Sequence, residues 1–147
     1  MEELIRRALA SYQNGDDDTA ISSLLEIAED IWPSLSSIFR NEPDPDLRAF
    51  LVRVAWERRE ALSVDFILQA LDDPAEEVWQ SALDGTVALA SPQMLDLLKS
   101  LRATERGDPS TSHRFRICVD EAILYVDGLL QGEHRPQANY VPPAFKK

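Results

Sequence analysis

The sequence predicts an all-α fold, a short right-handed α-solenoid of about four stacked antiparallel helical hairpins, followed by an extended C-terminal tail. Two observations carry this prediction. Apolar residues recur at spacings of three and four along most of the chain, as one face of a helix requires, and almost no segment alternates as a strand does. In addition, a unit of about thirty residues repeats along the chain, which is typical of a solenoid.

The N-terminal half contains four predicted helical segments. Apolar spacing predicts a first helix over residues 4–12, which ends at an Asn-Gly pair, and a second over residues 17–31 that begins at Asp17 or Asp18. Pro33 then kinks or restarts the chain, and the stretch "SLSSIFR" that follows it supplies one or two further helical turns as the third segment. Residues 47–59 are apolar on nearly every side, so we expect this fourth segment to be packed between neighbouring helices.

The C-terminal half continues the alternation of longer and shorter helices. Short apolar helices are predicted over residues 64–71 and 94–101, and a longer helix lies between them over residues 78–90. The last helix, over residues 115–130, carries a single apolar stripe, and Gly132 is placed to end it.

Proline residues mark the expected helix starts. A residue with a capping side chain precedes a proline at four places: Asp44, Asp73, Ser91 and Asp108. Proline suits the first turn of a helix because the backbone donor that it lacks would have no helical partner there. Glu76 follows Asp73 by three residues, which is the spacing of a capping box. The sequence therefore predicts that Asp73 caps the helix that follows it.

Two neighbouring segments of the chain align with each other. The stretch "PDLRAFLVRVA" aligns with "EEVWQSALDGT" at an offset of 31 residues, which places Leu47 over Val78. The following stretches "FILQAL" and "DLLKSL" align at an offset of 30 residues, which places Ile67 over Leu97. A repeated unit of one longer and one shorter helix can bury its apolar faces only by stacking on its neighbours.

The stretch "LDDPAEEVWQSALDGTVAL", followed by "SPQMLDLLKSL", resembles a HEAT or HEAT-like repeat. In that family an Asp-Pro pair opens the first helix, a Val-Arg pair follows, and small residues lie where the hairpins pack. Val78, Ala82 and Gly85 match this pattern, and Arg48 matches it in the preceding unit. Trp79 departs from it, because the family has arginine there. The resemblance implies a curved stack of helical pairs that serves as a binding surface.

The resemblance also implies where a partner would bind. The second helices of HEAT-like units line the concave face, which would place Asp65, Gln69 and Asp96 there. Asp72 and Glu77 are expected to be surface charges available to a basic partner. Trp79 is a further candidate for partner binding, because the family arginine at its position is partly exposed, although burial in the core explains a tryptophan there equally well.

Charge narrows the class of partner. The first 98 residues carry 7 Lys and Arg against 20 Asp and Glu, a net charge of −13, and the rest of the chain carries +2. An acidic protein repels nucleic-acid phosphates and anionic lipids, and it attracts basic proteins, although solubility alone also explains such a charge. No apolar run is long enough to span a bilayer, and the N-terminus does not resemble a signal peptide. With Cys118 as the single cysteine, we expect a cytoplasmic protein without a disulfide.

The sequence contains no pattern that predicts catalysis or cofactor binding. His113 and His134 are 21 positions apart, and neither has another ligand at the spacing of a metal site. No phosphate-binding glycine loop and no serine-nucleophile motif occurs. We therefore expect neither a metal ion nor a cofactor, and we expect that the protein is not an enzyme.

Taken together, these features favour a non-catalytic protein-binding module. Residues 1–131 would form one repeat domain, and residues 132–147 would form a tail that either docks on it or is disordered. Its small size, its acidity and its repeats resemble bacterial immunity proteins, which occlude a cognate basic toxin. The alternatives are an accessory scaffold or lyase-type subunit that acts on another protein and, against the charge, a HEAT-like nucleic-acid enzyme. The sequence leaves the oligomeric state open.

Overall fold

The computed structural model describes residues 1–132, and α-helices account for most of them, with no β-strand in that part of the chain. The expected C-terminal tail beyond Gly132, including His134, lies outside the described residues. The helices, in chain order, are α1 (Glu2–Gln13), α2 (Asp17–Leu25), α3 (Trp32–Asn41), α4 (Pro45–Glu57), α5 (Ala61–Ala70), α6 (Glu76–Ala88), α7 (Pro92–Ser100) and α8 (Pro109–Gln131). The all-α prediction is confirmed. Among these helices none is both long and apolar enough to cross a membrane.

Three of the four proline-marked helix starts are confirmed. The side chains of Asp44, Ser91 and Asp108 each accept a hydrogen bond from a backbone N–H in the first turn of α4, α7 and α8 respectively. Each cap is followed directly by proline, so the local sequence supplies both the acceptor and the helical φ angle. At the other end of α8, Gly132 adopts a left-handed conformation with φ of 74°, as expected for a glycine that ends a helix.

The second helix is shorter than its apolar spacing predicts. It is capped by Asp16, whose side chain accepts from the Thr19 N–H, and it ends at Leu25 instead of extending to Ile31. The guanidinium of Arg58 donates to the backbone carbonyls of Leu24 and Ile27, at 2.6 and 3.0 Å. Arg58, which directly follows the end of α4, thus satisfies carbonyls at the end of α2, so the backbone can leave the helix there.

The Asp73-Pro74 pair does not start α6 as predicted. The helix begins at Glu76, two residues after the proline, and Ala75 occupies the cap position. Asp73 instead accepts a hydrogen bond from the Ala75 N–H at 2.9 Å. It also forms a bidentate ion pair with Arg48, whose Nε and Nη2 atoms lie 3.0 and 3.1 Å from the two carboxylate oxygens of Asp73. The partner of Asp73 lies 25 residues upstream, so a local capping pattern could not reveal it.

Helices α2, α4, α6 and α8 contact one another in succession, since α4 contacts α2 and α6, and α6 in turn contacts α8. Gly85 of α6 lies close against α4 and α5, because an added Cβ would lie 2.7 Å from Ile67 Cδ1 and 2.9 Å from Trp56 Cδ1. Val78 and Ala82 on the same helix are fully buried, so the expected packing side of α6 is confirmed. Trp56 is also buried, as expected for a residue of the core.

Candidate functional site

A concave surface with an apolar floor lies between α3 and α5, and we call it the α3–α5 groove. It has a smaller end of about 240 Å³ and a larger end of about 500 Å³, both open to solvent, which share Asp30, Trp32 and Leu62. Asp65, Phe66 and Gln69 line the smaller end as well. Trp32 and Phe66 are buried and form the floor, whereas Leu62 is 46% exposed at the side.

The sequence of α5 places four groove residues on one side of the helix. Leu62, Asp65, Phe66 and Gln69 follow one another at spacings of three, one and three residues, and residues three or four apart lie on one face of a helix. Two of the four are apolar and two are polar. This face of α5 therefore presents an apolar surface interrupted by a carboxylate and an amide.

The aromatic floor is held in place by hydrogen bonds and ring contacts. The indole Nε1 of Trp32 donates to Glu60 Oε1 at 2.9 Å, and the backbone N–H of Trp32 donates to Asp30 Oδ1 at 3.1 Å. The Trp32 ring centroid lies 6.0 Å from that of Phe66, which also meets Phe39 edge-on at 5.1 Å. Because both N–H groups of Trp32 already have acceptors, its ring offers the groove only apolar surface.

Carboxylates dominate the charge around the groove. Glu29, Asp30, Glu60 and Asp65 line it, with Arg58 as the single cation among the described residues that do so. The Arg58 side chain is only 6% exposed, and it already donates to carbonyls at the end of α2 and forms an ion pair with Glu60. Its positive charge is therefore largely used within the fold. Among residues 1–132, Glu29 and Asp65 make no hydrogen bond or ion pair. The residues that line the groove therefore carry an excess of negative charge.

The six candidate partner-binding residues do not form a single surface. Asp65 and Gln69 both line the α3–α5 groove. Asp96 is exposed on α7, and Asp72 and Glu77 are exposed on either side of the start of α6. The structure thus brings two of the predicted residues together in a concave site and leaves three as separate surface charges.

The sixth candidate, Trp79, is buried, which is the core alternative that the sequence left open. None of its surface is exposed, and its ring meets Phe115 of α8 edge-on, with ring centroids 5.0 Å apart. The Arg106 guanidinium lies 4.4 Å from the Phe115 centroid and 5.7 Å from that of Trp79. Burial lowers the pKa of Arg106 below its ordinary value. Trp79 joins α6 to α8 instead of offering its ring to a partner.

Sequence reasoning missed the acidic rim formed by Glu29, Asp30 and Glu60. A local signal was present, because the stretch "EIAED" before Trp32 places three acids next to an aromatic residue at a helix start. The spacing of Leu62 and Phe66 around Asp65 was a second signal on α5. Neither signal indicates by itself that the two segments lie side by side, because this depends on how α3 packs on α5.

A second cavity, between α6 and α8, is too small to bind a substrate. Its volume is about 20 Å³, enough for about one water molecule. Asp84, Cys118 and Glu121 line it, and burial raises the pKa of the Cys118 thiol. Within residues 1–132, no group of three or more His, Cys, Asp or Glu side chains is arranged to hold a metal ion.

Comparison with known proteins adds no relative. The chain matches no family model, no curated protein and no solved structure. The functional proposal therefore rests on the geometry and charge of the α3–α5 groove.

Proposed function

We propose that the protein is a non-catalytic binding module whose α3–α5 groove receives a basic segment of another protein. The observation that carries this proposal is an apolar floor bordered by carboxylates without a freely available cation among the described residues. Trp32 and Phe66 supply apolar area, and Asp30 and Asp65 supply negative charge beside it. Interfaces gain affinity from buried aromatic residues and gain association rate from complementary charge, and the groove offers both.

We further propose that the helices form a HEAT-like α-solenoid. The succession of contacts from α2 to α4, α6 and α8 supports a layer of first helices. The contact of Phe66 on α5 with Phe39 on α3 supports a second layer, which would carry the groove. The ion pair between Arg48 and Asp73 is a further support, because it links the first helix of one proposed unit to the start of the next.

The specific function that we propose is that of an immunity protein, which acts in the cytoplasm by occluding a basic bacterial toxin. The small size of the chain, its net charge of −11 and the acidic groove all support this role. The toxin would be inhibited by steric coverage of its active site. Complementary charge would speed the encounter, and association would therefore slow steeply as ionic strength rises.

We expect the neighbouring gene to encode a basic toxin domain, and the test is to co-express that domain with this chain and to measure binding of the two purified proteins. We expect the wild-type chain to protect the cells. We expect the double variant Asp30→Asn, Asp65→Asn to bind about tenfold more weakly, chiefly through slower association. The matched control Glu77→Gln, Asp96→Asn removes the same charge outside the groove and should change affinity by less than about twofold.

Two results would contradict the proposal at different levels. If both double variants lose affinity equally, net charge matters and the α3–α5 groove is not the binding site. If the purified toxin domain does not bind and the cells are not protected, the immunity function is wrong. Tight binding to duplex DNA at moderate salt would contradict the choice of a basic protein as the partner, since DNA carries the opposite charge.

A further inference from the structure

We infer that the smaller end of the α3–α5 groove holds one arginine side chain of the partner, with its guanidinium between Asp30 and Asp65 and against the Trp32–Phe66 floor. This inference rests on the proposed function and specifies the group that is recognised. It follows from the charge of the smaller end and from the chemistry of its floor.

The size of the groove accommodates a side chain together with its backbone. The smaller end measures about 240 Å³, which is room for one long side chain. The adjoining larger end of about 500 Å³ leaves room for the backbone that carries this side chain.

Charge decides between an apolar and a cationic side chain. An apolar side chain would remove water from the carboxylates of Asp30 and Asp65 without giving them a partner, and such desolvation is unfavourable. The acceptors are available, because Asp65 has no partner among the described residues and Asp30 uses one oxygen for the Trp32 N–H. A cation restores to both carboxylates the interactions that they lose with water.

The floor decides between arginine and lysine. A guanidinium is planar and weakly hydrated, it rests well against aromatic rings, and it binds carboxylates with two parallel N–H groups. An ammonium group is a strongly hydrated point charge, so contact with the apolar surface of Trp32 and Phe66 costs it more hydration. Two carboxylates beside a floor without free N–H donors therefore favour arginine.

The test is a titration of the full chain with N-acetyl-arginine amide, followed by two-dimensional ¹H–¹⁵N NMR at low salt. N-acetyl-lysine amide is the charge-matched control. We expect saturable shifts of the Trp32 indole N–H signal and of the Asp65 and Gln69 amide signals, with affinity for the arginine compound about fivefold higher than for the lysine compound. Equal affinities, or shifts that fall outside α3 and α5, would overturn the inference.

Single variants check the position of the guanidinium. Asp65→Asn should weaken binding of N-acetyl-arginine amide by about fivefold, because it removes one of the two carboxylates. Asp96→Asn, which removes one exposed charge from α7, should leave the affinity unchanged. An equal loss in the two variants would show that the compound responds only to net charge, and the inference would be wrong.

The inference and the proposed function can fail separately. If the arginine compound does not bind in the groove but the double variant Asp30→Asn, Asp65→Asn still weakens toxin binding, the arginine inference is wrong and the groove remains the protein-binding site. If toxin binding is unaffected by that double variant, the proposed function of the groove is wrong, whatever the arginine titration shows.

Discussion

The junction between α5 and α6 and the α3–α5 groove are both rich in carboxylates, but they use them in opposite ways. At the junction, the Asp73 side chain is 9% exposed and bonds to Arg48 and to the Ala75 N–H. In the groove, Asp65 is exposed and has no partner among the described residues. One carboxylate joins two helices of the fold, and the other remains available to another molecule.

This difference shows that the partners of a carboxylate distinguish a structural role from a role in recognition. A carboxylate with an arginine and a backbone donor beside it has a structural role, even when the sequence around it is as acidic as "LDDPAEE". A carboxylate that borders an apolar floor and lacks a cation is the better candidate for recognition. Substitutions of Arg48 or Asp73 at the junction should therefore lower stability, and substitutions of Asp30 and Asp65 in the groove should lower binding alone.

The largest expected effect on stability is at Trp79, which lies in the first turn of α6, directly after the junction. Trp79→Ala should lower the free energy of unfolding by about 3–5 kcal/mol, because it removes a fully buried ring that packs on Phe115. Urea denaturation followed by circular dichroism measures this change. Trp79→Phe is the control, since its ring keeps much of the apolar contact and removes an indole N–H that has no hydrogen-bond partner among the described residues. A loss below about 1 kcal/mol for Trp79→Ala would contradict the buried position.

Breaking the ion pair at the junction should have an intermediate effect. Arg48→Met should destabilise the protein by about 2 kcal/mol, because it leaves the Asp73 carboxylate mostly buried without its guanidinium and also removes donors to the Glu42 and Pro43 carbonyls. Adding Asp73→Asn should recover part of the loss, since the remaining side chain is then neutral. Additive losses in this double-mutant cycle would show that the two residues do not interact.

The smallest effect on stability is expected in the groove. The double variant Asp30→Asn, Asp65→Asn should change the free energy of unfolding by less than about 0.5 kcal/mol. Asp65 has no partner among the described residues, and the amide oxygen introduced at position 30 can still accept from the Trp32 N–H. The same urea denaturation measures the change. A loss as large as that of Arg48→Met would remove the distinction between the two regions and would assign the groove carboxylates a structural role.

Much of the secondary structure could be predicted because its causes are local. The apolar spacing along α8 and the caps Asp44, Ser91 and Asp108 depend on residues within a few positions of one another, and all were identified from sequence. The end of α2 could not be predicted in this way. Its carbonyls are satisfied by Arg58, 34 residues after Leu24, so apolar spacing alone predicts a longer helix.

The candidate site could be predicted only in part. The choice of Asp65 and Gln69 came from the polar positions of α5, and both line the groove. The contribution of Trp32 and Asp30 depends on the packing of α3 against α5. The orientation of Trp79 could not be predicted either, because the repeat pattern left an outward and a buried side chain equally open, and its contact with Phe115 on α8 decides for burial.

The sequence by itself determined the helical class, most helix boundaries and the negative charge of the chain, since each depends on local spacing or on composition. Only the tertiary structure decided which carboxylates are used within the fold and which remain available. That distinction depends on which side chains from distant segments meet, as Arg48 meets Asp73 and Trp32 meets Phe66. Helix packing brings these pairs together, and no local pattern specifies it.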